Sequence, residues 1–445
     1  MSTDAARTTA PGPAANTAAN TGANPGTNIA ATTSANTAAA PVVTGIGVAA
    51  PNGLGVEEYW TATVKGVSGL GVIGRYDAVQ YPSPVAGEVR DFVAADHLSS
   101  RLLPQTDRST QMALAASDWA LADAGLDLAS VGEFEMGVVT ASGSGGFEFA
   151  QKELQALWSQ GPEYVSAYQS FAWFYAVNTG QISIRHGMRG PSGVLVVEQA
   201  GGLDALGHAR RHVRKGVKVV FSGGVDGSLS PWGLVCQHTT GELSRSKDPE
   251  SAYAPFDASA AGYVPGEGGA ILVLEDPDAA RARGARIYGS VAGYAATFDP
   301  APDSGRPPAL RRAIELALAD ARVDAREVDV VFADASGLPL RDRQEAEALA
   351  GVFGPGGVPV TAPKTMTGRM YSGAGSLDAA AALLAMRDGV IPPTLGVRNP
   401  LPEYELDLVR DTARAAELRT ALVLARGRGG FNAALVLRSG QTGAA

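Results

Sequence analysis

The chain contains one cysteine, Cys236, so it has no internal disulfide and no cysteine-based zinc cluster, and it fits a reducing compartment. Long apolar runs are also missing. Nowhere do about 18 apolar residues follow one another, so no segment is expected to span a membrane. Positive charge is in deficit: 36 Lys and Arg stand against 45 Asp and Glu, a formal net charge of -9. That balance argues against a nucleic-acid partner, whose phosphates demand clustered cations. Two catalytic signatures are absent as well. The glycine-rich stretch Ser142 to Gly146 is not a complete G-x-G-x-x-G followed by an acidic residue at the right place, and no G-x-S-x-G elbow occurs.

Residues 1–40 hold little that could build a core. Thirty-six of those 40 are Ala, Thr, Asn, Gly, Pro or Ser, and only Asp4 and Arg7 carry charge. Too little apolar surface is available there to offset ordering entropy, so a disordered tail is expected. With no basic start ahead of an apolar run, the segment does not read as a secretory signal, and a cytoplasmic protein is expected.

Beyond residue 40 the chain is rich in apolar residues (45% of the whole sequence) and alternates between strand and helix patterns. Val42 to Val48, Met136 to Thr140, Gly193 to Glu198 and Val217 to Phe221 read as buried strands, and Thr110 to Ala124 as a helix. The style repeats with strands at Ile287 to Ala292, Asp329 to Ala333 and Val358 to Thr361, and helices at Ala309 to Ala319 and Gly375 to Met386. A hairpin around Gly427 to Phe431 closes the pattern. Continuous apolar strands between helices predict an α/β fold with mostly parallel, buried sheets. Two halves of similar make-up, 41–285 and 286–440, suggest an internal duplication.

His208 and His212 lie four apart on one helix, but a third ligand is missing. A solvated face beside Arg210, Arg211 and Arg214 accounts for them better than a metal. The basic run Arg210 to Lys215 suits an acidic partner or, equally, an ordinary helix end. Cys236 reads as a packing residue, since nothing adjacent marks it as reactive. In Val196-Val-Glu-Gln-Ala-Gly-Gly-Leu-Asp-Ala205, by contrast, a strand runs through a small-residue turn straight into a helix. That arrangement sets one side chain, Gln199, at a helix N-terminus, where free N–H groups can hold an anion. A carboxamide is no nucleophile, and the turn alone does not separate a site from a buried corner.

Other segments decide. Tyr253-Ala-Pro-Phe-Asp257, Gly262-Tyr-Val-Pro-Gly-Glu-Gly-Gly269, Asp342-x-x-Glu345, Lys364-Thr-Met-Thr-Gly368 and Gly427-Arg-Gly-Gly-Phe-Asn432 occur in that order. Over residues 41–440 the chain resembles the ketosynthase family of the thiolase superfamily. The resemblance implies duplicated αβαβα layered halves. In that family a cysteine at the strand–helix turn carries the acyl chain, and two histidines assist malonyl decarboxylation. Gln199, Asp334 and Arg369 stand at those three positions here. Asp334 is expected to repel a malonyl carboxylate, and Arg369 cannot shuttle protons near neutral pH. No residue is therefore catalytic for condensation, and the resemblance implies neither metal nor cofactor.

Gln199 before Ala-Gly-Gly-Leu-Asp is similar to one branch of the family, the chain length factor (ketosynthase beta subunit) of bacterial type II polyketide synthases. That similarity implies a heterodimer with a ketosynthase alpha subunit, an acyl carrier protein as shared partner, and a growing poly-β-ketone in a tunnel at the interface. It also implies that Phe147, Ala150 and Leu154, on one face of a helix, line the tunnel with Trp232 nearby. The modest size of Ala150 and Leu154 suggests a roomy tunnel and a longer chain. Arg428 stands where active members carry a gating phenylalanine. Three other readings are kept: decarboxylation of a malonyl carrier through Gln199, an active acyltransferase using Cys236, and a scaffold with no tunnel role.

Overall fold

A computed structural model describes residues 39–440. The expected tail therefore lies, up to residue 38, outside the described residues. Ten strands carry the fold. They are β1 (Val42–Ala50), β2 (Met136–Ala141), β3 (Ser192–Leu195), β4 (Val219–Asp226) and β5 (Gly268–Glu275) in the first half, and β6 (Gly289–Phe298), β7 (Val330–Phe332), β8 (Pro359–Thr361), β9 (Thr420–Arg426) and β10 (Phe431–Ser439) in the second. Seven helices matter here: α1 (Arg108–Ala124), α2 (Phe147–Ser159), α3 (Gly201–Arg214), α4 (Pro231–His238), α5 (Leu310–Ala321), α6 (Pro339–Phe353) and α7 (Ser372–Asp388).

All ten strands join one sheet in the order β3-β2-β4-β5-β1-β6-β10-β9-β7-β8, and a short strand at Asp407–Leu408 pairs beyond β8. Each half thus repeats the same order, third-second-fourth-fifth-first, mirrored about the β1–β6 contact. The duplication suspected from the sequence is visible in this topology. The sheet is mixed rather than mostly parallel. Parallel pairing joins β2 with β3 and β4 on one side, and β7 with β8 and β9, and β8 with the Asp407–Leu408 strand, on the other. The central strands are antiparallel because β5 and β10 return directly beside the strands they follow, which needs no crossover helix.

Period-two alternation sorts strand residues between two cores. Val220, Leu272, Leu274, Phe332, Val423 and Leu435 face inward onto α3 and α7, packing with Leu203, Leu206, Leu377 and Leu383. Val219, Phe221 and Val273 face outward onto α1, while Val331, Leu422 and Leu424 face outward onto α5 and α6. The result is five layers, helix-sheet-helix-sheet-helix, the two β layers being the two halves of the one continuous sheet. Sandwiched in the middle, α7 is buried from Ser372 to Met386, which explains its run of Gly and Ala: only small side chains let sheets approach from both sides. Boundaries follow capping chemistry. Asp107 accepts the Ser109 N–H at the start of α1, and Gly125 ends that helix with φ 55°.

Candidate functional site

Gln199 ends the turn between β3 and α3 and is buried, at 4% exposure. Its side-chain oxygen has no hydrogen-bond partner. The neighbouring Glu198 accepts the backbone N–H of Arg428. Burial pushes the Glu198 carboxyl above its ordinary range, against that hydrogen bond and the charge of Arg369. The Gly427–Phe431 turn is thereby tied to the mouth of the α3 turn through its backbone, while the Arg428 side chain stays exposed.

The other two singled-out positions meet each other. Arg369 clamps Asp334 with both ends of its guanidinium, Nη2 to Oδ1 at 2.9 Å and Nη1 to Oδ2 at 3.2 Å. Further donations reach the carbonyl oxygens of Asp334 at 2.8 Å and Arg426 at 3.1 Å. Asp334 Oδ1 also accepts the Arg426 N–H at 2.8 Å. Burial opposes ionisation of Asp334, but the charges of Arg369 and Lys364 outweigh it and hold the carboxyl below its ordinary range. This corrects the expected repulsion of a malonyl carboxylate. Asp334 is neutralised by its partner, and a closed ion pair occupies both positions.

The motifs that signalled the family build this loop. Glu345, on α6, accepts the N–H groups of Asp334 and Ala335 at 2.7 and 2.8 Å. Asp342 accepts those of Phe256 and Gly337 at 2.9 and 3.0 Å. Burial raises both carboxyls, Glu345 to about 7 with the Asp334 charge adding to it, and Asp342 to about 6. The Tyr253 hydroxyl donates to the Ala335 carbonyl at 2.7 Å. Lys364 contacts the buried Asp378 at 2.7 Å, inside α7. Gly266 has to be glycine: a Cβ there would lie 2.5 Å from the Thr367 carbonyl oxygen. Order along the chain marks these segments as signs of kinship without revealing their roles.

Asp226 escapes sequence reading altogether. This buried carboxylate takes the Ser372 hydroxyl at 2.7 Å at the start of α7, and it also holds Gly143 and Ser144 in the loop after β2. Its partners lie far apart in sequence, so no local signal marks it. The two central helices differ as a result. Asp226 accepts hydrogen bonds at the N-terminus of α7, whereas no side chain caps α3.

The proposed tunnel residues sit on the first half. The rings of Phe147 and Trp232 stack, with centroids 4.4 Å apart. Ala150 is buried at 7%, while Leu154 and Trp232 are exposed at 37% and 39%. Trp158, further along the same face of α2, is exposed at 83%, and the following segment adds exposed Tyr164, Trp173 and Phe174. Cys236 is exposed near the end of α4 and is not the packing residue expected. Arg210 departs from the expected basic surface too. It is buried, donating to the carbonyls of Val291 and Ala292 and pairing with Asp320 at 2.8 Å. Burial and neighbouring cations lower the pKa values of His208 and His212. Among the described residues no group of three or more His, Cys, Asp or Glu is placed to hold a metal.

Family models match along most of this architecture: the beta-ketoacyl synthase N-terminal domain over residues 40–280 and its C-terminal domain over 288–398. The chain belongs to the beta-ketoacyl synthase family. Among its relatives, the tetracenomycin polyketide synthase ketoacyl synthase beta subunit of Streptomyces glaucescens is 62% identical, over 90% of this chain and 98% of that protein. The solved ishigamide ketosynthase/chain length factor superimposes with a TM-score of 0.82 at 31% identity, over 90% of this chain and 99% of that one. A type II polyketide synthase acyl-carrier protein in complex with its ketosynthase, bound to the hexaketide, gives 0.80 at 27% over 90% and 99%. Within this synthase family, Gln199 occupies the strand–helix turn of the first half, and the Asp334–Arg369 pair lies in the second.

Proposed function

We propose that this chain is a non-condensing ketosynthase subunit that pairs with an active ketosynthase alpha subunit and sets polyketide chain length. The observation that carries the reading is the buried Asp334–Arg369 pair beside a turn that ends in Gln199. No group there can attack a thioester, and Arg369, locked on its partner, cannot move a proton. The partners carried over from its relatives are the alpha subunit, an acyl carrier protein and the growing poly-β-ketone. Phe147, Ala150, Leu154 and Trp232 form this chain's share of the tunnel wall. We place the boundary between the halves at residues 285–286, ahead of β6, and the protein in the cytoplasm. No helix among the described residues is long and apolar enough to cross a membrane.

Reconstitution with an alpha subunit, carrier protein and malonyl donor tests the reading. Long polyketides should form only when both subunits are present, and condensation by this chain alone would refute it.

A second reading is decarboxylation of malonyl carrier through Gln199, whose buried amide lies at the N-terminal turn of α3 and can donate its N–H groups to the thioester carbonyl. Carbon dioxide release by the isolated chain, abolished in Gln199→Ala, would establish it. The absence of release leaves Gln199 as the filling of the turn. An acyltransferase built on Cys236 draws no such support, because that thiol sits late in α4 and not at a helix N-terminus.

A further inference from the structure

Helix α2 carries three of the four tunnel residues, yet of its 13 residues only Ala150 is buried. A helix so lightly packed draws little stability from its own backbone, so its placement depends on what pins it. Three polar contacts do this for its first half, and the Ser166 N–H, donating to Glu153 Oε2 at 2.6 Å, holds the second. The Phe149 N–H donates to the buried carboxylate of Asp107 at 2.8 Å. Glu148 Oε2 accepts from Arg75 Nη1 at 2.9 Å. That guanidinium also holds Glu88 and Glu267, each at 2.7 Å and each buried, so the glutamate of the Gly262–Gly269 motif reaches α2 through Arg75. On the other flank, Gln151 Oε1 accepts the Trp232 N–H of α4 at 2.8 Å, beside the Phe147–Trp232 stack. Beside the helix lies a solvent-open groove of about 320 Å³, lined by Asp107, Gln111, Glu148, Phe149 and Lys152.

A helix with one buried residue, flanked by an open groove, shifts when a pin is drawn. Resting on the reading of α2 as tunnel wall, we propose that Glu148 and Gln151 are positioning residues for product length. They hold α2, and through it Phe147 and Leu154, at the separation from α4 that limits the poly-β-ketone. Glu148 does this from outside the tunnel face, about 100° round the helix from Phe147. The specificity of the gate then belongs to the Glu267–Arg75–Glu148 relay and the Gln151–Trp232 link as much as to the side chains that meet the product.

The test uses the reconstituted pair with carrier protein and malonyl donor, and reads product lengths by mass spectrometry for Glu148→Gln, Gln151→Leu and, as control, Leu154→Trp. Each positioning variant should raise the ratio of longer to parental product by roughly fivefold, the weight of one lost hydrogen bond. Damage to folding alone lowers all lengths in proportion and leaves the ratio unchanged, which counts against the proposal. If one variant gives no folded protein, the other carries the test. An unchanged ratio in both, with Leu154→Trp shifting the product, overturns the positioning role and leaves the gate standing. An unchanged product in Leu154→Trp as well removes the gate, and the inference with it.

Discussion

In the second half, the outer strand β8 is covered by the Asp407–Leu408 strand, and the loop after β7 leads directly into α6, which pins it through Glu345 and Asp342. In the first half the matching strand β3 is the sheet edge, and the loop after β2 feeds α2 and a segment rich in exposed aromatic residues. One strand order has been finished in two ways. An open edge and a large apolar surface are liabilities for a lone protein, and a partner that covers them turns them into an interface. The closed half supplies rigidity, and the open half supplies the place where function can be set.

Lysine in the covered strand β8 and just past the open strand β3 gives the largest contrast. Val360→Lys buries a charge at a position 1% exposed and should prevent folding, seen as loss of soluble protein. Val196→Lys, at 56% exposure, should leave folding intact but weaken association with an alpha subunit by about tenfold, read by titration. Equal tolerance at both positions would break the comparison. Next in size, Arg369→Met strands Asp334 beside Glu345 and should cost about 3–5 kcal/mol in denaturant unfolding. The double variant with Asp334→Ala should recover part of that loss, since no buried charge then remains unpaired.

Smaller effects belong to the open half and to proton linkage. Leu154→Trp should shorten the product, because an overpacked wall costs roughly 1–3 kcal/mol per misfit. Glu345 gives a pH signature of the closed half. Its folded pKa, about 7, lies above the ordinary 4.5, so the folded state holds its proton more tightly than the unfolded one. Stability from this group is full below the unfolded value and is lost as pH rises through that window. Asp334 acts in the opposite sense, contributing fully above its unfolded value and losing that contribution only in acid. Thermal unfolding of Glu345→Gln should therefore depend less on pH than that of the parent between about pH 5 and pH 8.

Much of this was legible in the chain itself. Apolar periodicity located the main strands and helices to within a few residues, as at Thr110 to Ala124, which is α1 from Arg108 to Ala124. Motif order located Gln199, Asp334 and Arg369. The antiparallel centre was not legible, because a buried strand is apolar whichever way its neighbour runs. Nor was the burial of Arg210, read from its neighbours as surface: helical spacing tells which residues share a face, not what covers it.

By itself, then, the sequence determined the α/β alternation, the order of the family motifs and the residue types at positions 199, 334 and 369, because these depend on residue type and local order. Only the tertiary structure decided that Asp334 and Arg369 neutralise each other, that Asp226 ties α7 to the loop after β2, and that one sheet edge stays open. Each of these is a contact, or a missing contact, between segments far apart in the chain. Local pattern cannot encode such pairings, because they exist only once distant segments have packed together.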